Sequence, residues 1–77
     1  MSWYYKSPIG TIRIVRSLDG TFAIIIDGVD YGGYDSPNDA ADAVHGFCTG
    51  SSEWDLLNVD VELILDVPKS LDEWKRL

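Results

Sequence analysis

The sequence predicts an α+β fold: a small antiparallel sheet of three to five strands, one main helix packed on it and a short C-terminal helix. Three observations support this fold class. Apolar and polar residues alternate through residues 11–16, two Asp-Gly pairs follow as hairpin turns at Asp19-Gly20 and Asp27-Gly28, and Ser36-Pro37 marks a helix start. At 77 residues the chain supports one hydrophobic core, so we expect a single domain over residues 1–77.

The predicted sheet is built around a hairpin. A short first strand is expected at residues 2–6, and the hairpin strands follow at residues 11–16 and 21–27. The second hairpin strand has apolar residues on both faces, so it should be central, with both faces covered. A further strand is expected at residues 29–34, where Gly32-Gly33 indicates a bulge or a close backbone approach.

The main helix is predicted over residues 37–48. Ser36 is a favourable N-cap, Pro37 suits the first helical position, and Gly50 is a suitable stop. The residues at helical spacing form an apolar stripe that should face the sheet. This stripe consists of Ala40, Ala41, Val44, Phe47 and Cys48.

The tail is predicted to be a strand followed by a short helix. Residues 59–67 alternate at first and then become continuously apolar, and Pro68 ends the segment. Ser70 and Glu73 then form a capping-box pattern for a helix through residue 77. We expect the tail to belong to the core, where it would cover the sheet face that carries Ala23 and Ile25.

Charge is distributed unevenly along this acidic chain. The formal net charge is −7, and all six Lys and Arg lie near the ends, so that residues 17–68 contain eleven acids and no basic residue. Such a segment repels phosphate backbones and attracts cationic partners, or it serves only solubility. Nucleic acid is therefore disfavoured as a partner, although an acidic inhibitor that imitates nucleic acid stays open.

A family resemblance covers residues 13–44. It rests on Arg13-Ile14-Val15-Arg16, Gly20-Thr21-Phe22-Ala23, Gly32-Gly33-Tyr34-Asp35-Ser36 and Ala40-Ala41-Asp42-Ala43. These segments resemble the three-stranded DNA-binding domain of plant ethylene-response factors and phage-type integrases. The resemblance implies a three-stranded sheet with a helix, and it places Arg13, Arg16 and Phe22 on the groove-facing sheet. It also implies an alternative function as a nucleic-acid-binding domain of integrase type.

No catalytic or metal-binding constellation stands out. His45 and Cys48 have the spacing of a helical pair, but no nearby basic group would activate the thiol, so Cys48 is expected in the core. The acids between residues 27 and 42 do not follow the spacing of a calcium loop. We therefore expect no enzyme, no cofactor and no metal.

The cysteine content and the hydropathy pattern suggest a location. A single cysteine, Cys48, leaves no intrachain disulfide, which fits a reducing compartment. The longest apolar run, residues 22–26, is far shorter than a bilayer requires. A cytoplasmic protein without membrane contact is the expectation.

Aromatic residues are more numerous than a core this small requires. Trp3-Tyr4-Tyr5 resembles the opening of the glycine-tyrosine-phenylalanine domains that bind proline-rich peptides. Aromatic anchors are typical of interaction surfaces, so a non-catalytic protein- or peptide-binding module is the favoured function. The candidate binding residues are Trp3, Tyr5, Arg13, Arg16, Tyr31, Tyr34 and Trp54.

Overall fold

The computed structural model describes residues 2–76 and shows an α+β fold. A five-stranded antiparallel sheet has the strand order β4-β3-β2-β1-β5. The strands are β1 (Ser2–Ser7), β2 (Gly10–Arg16), β3 (Phe22–Ile26), β4 (Val29–Asp30) and β5 (Lys75–Arg76). The helices are α1 (Pro37–His45), α2 (Ser52–Asp55) and α3 (Val61–Asp66), with 3-10 turns at Leu56–Val59 and Leu71–Glu73.

Both predicted Asp-Gly turns are present. In the β2–β3 turn, the Asp19 carboxylate accepts hydrogen bonds from the hydroxyl of Thr21 at 2.7 Å and from its backbone N–H at 3.0 Å. These bonds hold the pKa of Asp19 below its usual value. In the β3–β4 turn, Asp27 and Gly28 both have positive φ, 52° and 77°, as a two-residue hairpin with the right-handed strand twist requires.

The strand expected at residues 29–34 is interrupted. Only Val29–Asp30 pairs with β3 as a ladder, and contact resumes as a single bridge between Tyr34 and Phe22. Between them the backbone of Gly32 crosses so close to Ala23 that a Cβ on the glycine would lie 2.9 Å from the alanine Cβ. The expected close approach is confirmed, and it explains why the ladder breaks.

Helix α1 begins as predicted but ends earlier than residue 48. Ser36 caps it by accepting a hydrogen bond from the Asp39 N–H at 3.1 Å. After His45 the chain closes a Schellman turn, in which the N–H of Cys48 donates to Ala43 O and that of Phe47 to Val44 O. Phe47 adopts the left-handed φ of 54° that glycine usually supplies. Cys48 therefore lies outside the apolar stripe of the helix. The prediction that Cys48 is a core residue is wrong, because its side chain is exposed.

The tail differs from its predicted structure. Residues 59–67 do not form a strand: the Asp60 side chain accepts a hydrogen bond from the Leu63 N–H at 3.0 Å and caps α3. The predicted terminal helix is only the turn Leu71–Glu73, after which β5 pairs with β1 through Trp3–Arg76 and Tyr4–Lys75. An additional strand does join the sheet, but it comes from the last described residues.

One layer of helices and turns covers one face of the sheet. Ile12, Ile14 and Ile24 are fully buried there against α1 and the tail. The buried tail residues Leu63, Val67 and Trp74 confirm that the tail belongs to the core. They lie on the same side as α1, so the expectation that the tail covers the opposite face is wrong. That face has little apolar area, since the Gly32 backbone covers Ala23 and most neighbouring side chains are polar.

None of the helices within residues 2–76 has the length and apolar character needed to span a membrane.

Candidate binding surfaces

Two of the predicted binding residues, Trp3 and Trp54, are core residues. Trp54 is completely buried and stacks on Phe47 with ring centroids 4.9 Å apart, and its indole N–H donates to the Val44 carbonyl at 3.0 Å. Trp3 is also buried and lies in a tilted arrangement 6.3 Å from Phe22. The Trp54 ring presents no surface to a partner in the folded chain, whereas Trp3 is 8% exposed and lines a cleft with Leu71, Asp72, Trp74 and Arg76.

A clamp around Asp55 fixes the loop that leads from α1 to α2. The Asp55 carboxylate accepts hydrogen bonds from the backbone and hydroxyl of Thr49, both at 2.9 Å, and from the Gly50 N–H at 3.0 Å. Ser51 caps α2 through the Trp54 N–H. These bonds satisfy buried polar groups, and they fix the direction in which the chain leaves α2.

The predicted tyrosines Tyr5, Tyr31 and Tyr34 are half-buried around the core and not gathered into one surface. Tyr5 packs edge-on against both Trp54 and Trp74. Burial, with a smaller effect from the Asp66 charge, raises the pKa of Tyr5. Burial also raises the pKa of Tyr34, and the nearby Cys48 and Asp55 add to the effect.

We expect this chain to lose stability in alkaline solution. The pKa values of Tyr5 and Tyr34 are raised above 10.0 in the folded state, so the unfolded chain loses these tyrosine protons first. The free energy of unfolding therefore decreases once the pH rises past about 10. Urea unfolding between pH 8 and pH 10.5 measures this decrease. The double variant Tyr5→Phe/Tyr34→Phe should show a shallower decline in the free energy of unfolding. Equal declines in the two proteins would contradict the expectation.

The two predicted arginines lie on opposite faces of the sheet. Arg13 is paired with Tyr4 and lines a shallow cleft with Tyr4, Lys6 and Thr11. Arg16, three residues further along β2, falls on the other side by strand alternation and is exposed at the strand end. The uncovered surface around Arg13 is called the open sheet face below. It consists of Tyr4, Lys6, Thr11, Arg13 and Lys75.

A second surface consists of exposed aliphatic side chains. Leu56 and Val59 lie on the 3-10 turn, and Val61 and Leu65 lie one helical turn apart on α3. These four residues, named the aliphatic ridge here, are between 68% and 82% exposed. The ridge is not evident from the sequence, because the pattern of residues 59–67 predicts a strand with alternating buried positions. Asp60 as an N-cap three residues before Leu63 was the signal that could have identified the helix.

His45 and Cys48 do not form the helical pair that their spacing suggests. His45 ends α1, and Cys48 lies beyond the Schellman turn, so the two residues do not share a helical face. Within residues 2–76 no group of three or more His, Cys, Asp or Glu side chains is placed to hold a metal ion.

Comparison of this chain with protein-family models, with curated proteins and with solved structures finds no match. Its function therefore has to be inferred from the surfaces that its own residues form.

Proposed function

We propose that this chain is a non-catalytic module that binds another protein, and that the aliphatic ridge is its binding surface. The exposure of Leu56, Val59, Val61 and Leu65 carries this proposal. Single exposed aliphatic residues are common in proteins, whereas adjacent ones that form a patch are typical of interaction sites. The half-buried tyrosines Tyr5, Tyr31 and Tyr34 are not gathered into one surface and do not form a comparable patch.

The opposite side of the same segment explains why the ridge stays exposed. Leu63 and Val67 are buried in the core, and Leu57 and Ile64 pack against it. Helix α3 is therefore apolar on both sides, a pattern typical of a helix buried on both sides. Rotating the segment to bury Val61 and Leu65 would expose Leu63 and Val67, so a partner is the remaining way to cover the ridge.

Acidic residues flank the ridge and indicate the kind of partner. Glu53, Asp60 and Glu62 are exposed beside the aliphatic side chains, as is Asp66 at the end of α3. Interfaces commonly combine an apolar centre with a complementary charged rim. The partner segment that fits best is an amphipathic one with an apolar stripe and flanking Lys or Arg, such as a basic helix laid across α3.

Selection from a displayed library of random peptides tests the proposal. We expect the selected peptides to combine apolar residues at helical spacing with basic ones. Their affinity for the full chain, measured by calorimetry, should fall at least tenfold in the double variant Val61→Asp/Leu65→Asp. Leu18→Asp is the matched control, because Leu18 is fully exposed in the β2–β3 turn, away from the ridge. Equal affinity for wild type and the ridge variant, or equal loss in the control, would refute the assignment.

Duplex DNA is expected to bind only weakly and without sequence preference. The groove-facing arginine pair that the integrase resemblance implies is divided between two faces, and the net charge is −7. Binding to duplex DNA depends on several unopposed cations that release counterions. A fluorescence-anisotropy titration at physiological salt should therefore show no saturation in the nanomolar range. Sequence-dependent nanomolar binding would instead favour the integrase-type alternative.

A further inference from the structure

The open sheet face places cationic side chains around one aromatic ring. The strand register aligns Lys75 on β5, Tyr4 on β1 and Arg13 on β2 across the sheet. Neighbouring strands lie about 4.8 Å apart, so Lys75 and Arg13 flank the tyrosine on its two sides. Lys6 lies two residues further along β1 and projects from the same face. Three of the six basic residues in the chain are therefore close to Tyr4.

The surface around Tyr4 is a groove. A cleft of about 200 Å³ is lined by Tyr4, Tyr5, Lys6, Glu73 and Lys75. A second cleft of about 260 Å³ is lined by Tyr4, Lys6, Thr11 and Arg13. Tyr4 and Lys6 line both clefts, so the two lie side by side on the surface of β5, β1 and β2, and together they are called the groove below.

The charge of this groove is opposite to that of the chain as a whole. Within residues 2–76, Lys6, Arg13 and Lys75 have no ion pair, although acids outnumber bases thirteen to six. Among the residues that line the groove, Glu73 is the one acid. Asp30 lies on the same face of the sheet, two strands beyond Arg13. Exposed charges are screened beyond about 8 Å at physiological salt. Acids that lie farther than this from the groove therefore weaken its positive field little at physiological salt.

We propose that the open sheet face binds a short acidic segment of a partner protein, at a site separate from the aliphatic ridge. In an extended peptide, side chains on one side repeat every two residues, about 6.7 Å. Lys75 and Arg13 lie on strands about 9.6 Å apart, and their long side chains can lean toward Tyr4 to pair with two carboxylates at the peptide's spacing, while Lys6 lies between the two clefts. A long polyanion such as nucleic acid fits less well, because it would continue past the groove toward Asp30 and the acidic turn at Asp27.

Fluorescence anisotropy with a labelled eight-residue peptide of alternating Glu and Ser tests the site on the full chain. We expect saturable binding at 25 mM salt that weakens as salt is raised, because the attraction is between exposed charges. The double variant Lys6→Glu/Arg13→Glu should weaken binding at least tenfold. A second variant, Tyr4→Ala, should weaken it severalfold without changing the net charge. Circular dichroism melts confirm that each variant folds, and Lys6→Gln/Arg13→Gln replaces the first variant if charge reversal prevents folding.

Arg16→Glu is compared with the single variant Arg13→Glu as the matched control, since it makes the same charge change on the same strand but on the opposite face. It should alter the affinity less than threefold. Equal weakening by Arg16→Glu would show that only net charge matters and would overturn the proposal. It would also be overturned by absence of binding at 25 mM salt, or by tighter binding of an eight-nucleotide oligothymidine. The ridge variant Val61→Asp/Leu65→Asp separates this site from the proposed function. If the acidic peptide still depends on Lys6 and Arg13 in that variant, the groove is a site separate from the ridge. If that dependence is lost, the two are not separate sites.

Discussion

Replacing Trp54 with alanine is expected to remove a large part of the chain's folding stability. The ring is fully buried, stacks on Phe47 and meets Tyr5 edge-on. Truncating a buried tryptophan costs about 3 to 5 kcal/mol. A 77-residue domain has a total stability of roughly 4 to 12 kcal/mol at ordinary values per residue. Urea unfolding followed by circular dichroism measures the loss, and a variant within 1 kcal/mol of wild type would show that Trp54 is not central to the core.

A pair of milder substitutions separates the indole hydrogen bond from the packing. Trp54 Nε1 donates to Val44 O, whereas the buried Nε1 of Trp74 has no hydrogen-bond partner among residues 2–76. Trp54→Phe removes this hydrogen bond, while Val44 O keeps the bond from the Phe47 N–H, so the substitution costs about 0.5 to 1.5 kcal/mol in addition to the lost area. Trp74→Phe removes an unsatisfied donor and should cost less. A larger loss for Trp74→Phe than for Trp54→Phe would reverse this ranking and contradict it.

Deleting residues 59–77 is expected to abolish cooperative unfolding. The deletion removes the buried core residues Leu63, Val67 and Trp74 and the β5 strand that pairs with β1. Each buried side chain contributes roughly 1.5 to 3 kcal/mol, so their combined loss is comparable to the whole stability of a domain this size. Thermal melts monitored by circular dichroism should show a broad change without a sigmoidal transition.

Leu65→Asp in the full-length chain is the control for this deletion, since it changes an exposed residue of the same segment. Its transition should stay sharp and close to that of the wild type. If the chain that ends at Asn58 instead melts sharply near the full-length temperature, the tail is dispensable for folding. The acids of the tail would then be better regarded as part of a binding segment only.

The parts of the fold that local chemistry determines were predictable from the sequence. The Asp27-Gly28 turn is an example, because few residue pairs accept two positive φ angles. The start of α1 is another, because Ser36 and Pro37 meet separate requirements of a helix N-terminus. The approach of Gly32 to Ala23 was also signalled, since only a residue without a side chain fits there.

The tail and the binding surfaces depend on tertiary contacts, which a local pattern does not contain. Residues 59–67 alternate like a strand, yet six residues also make a short helix with Leu63 inward and Leu65 outward, and packing decides between the two. The helix end shows the same effect, because stacking on Trp54 compensates for the left-handed conformation of Phe47. The division of Arg13 and Arg16 between two faces was, by contrast, predictable from their odd spacing in a strand.

The pairing of β5 with β1 means that β1 leaves the ribosome long before its outer neighbour in the sheet is synthesised. Until then, the outer edge of β1 lacks its neighbour, and Tyr5 lacks the ring of Trp74 against which it packs. Synthesis at about 5 to 20 residues per second makes this interval roughly 4 to 14 s for each copy. Unpaired strand edges and exposed aromatic rings are common sites of aggregation between chains. New copies of this protein are thus most prone to aggregation, or most in need of a chaperone, during the seconds before Lys75 and Arg76 emerge.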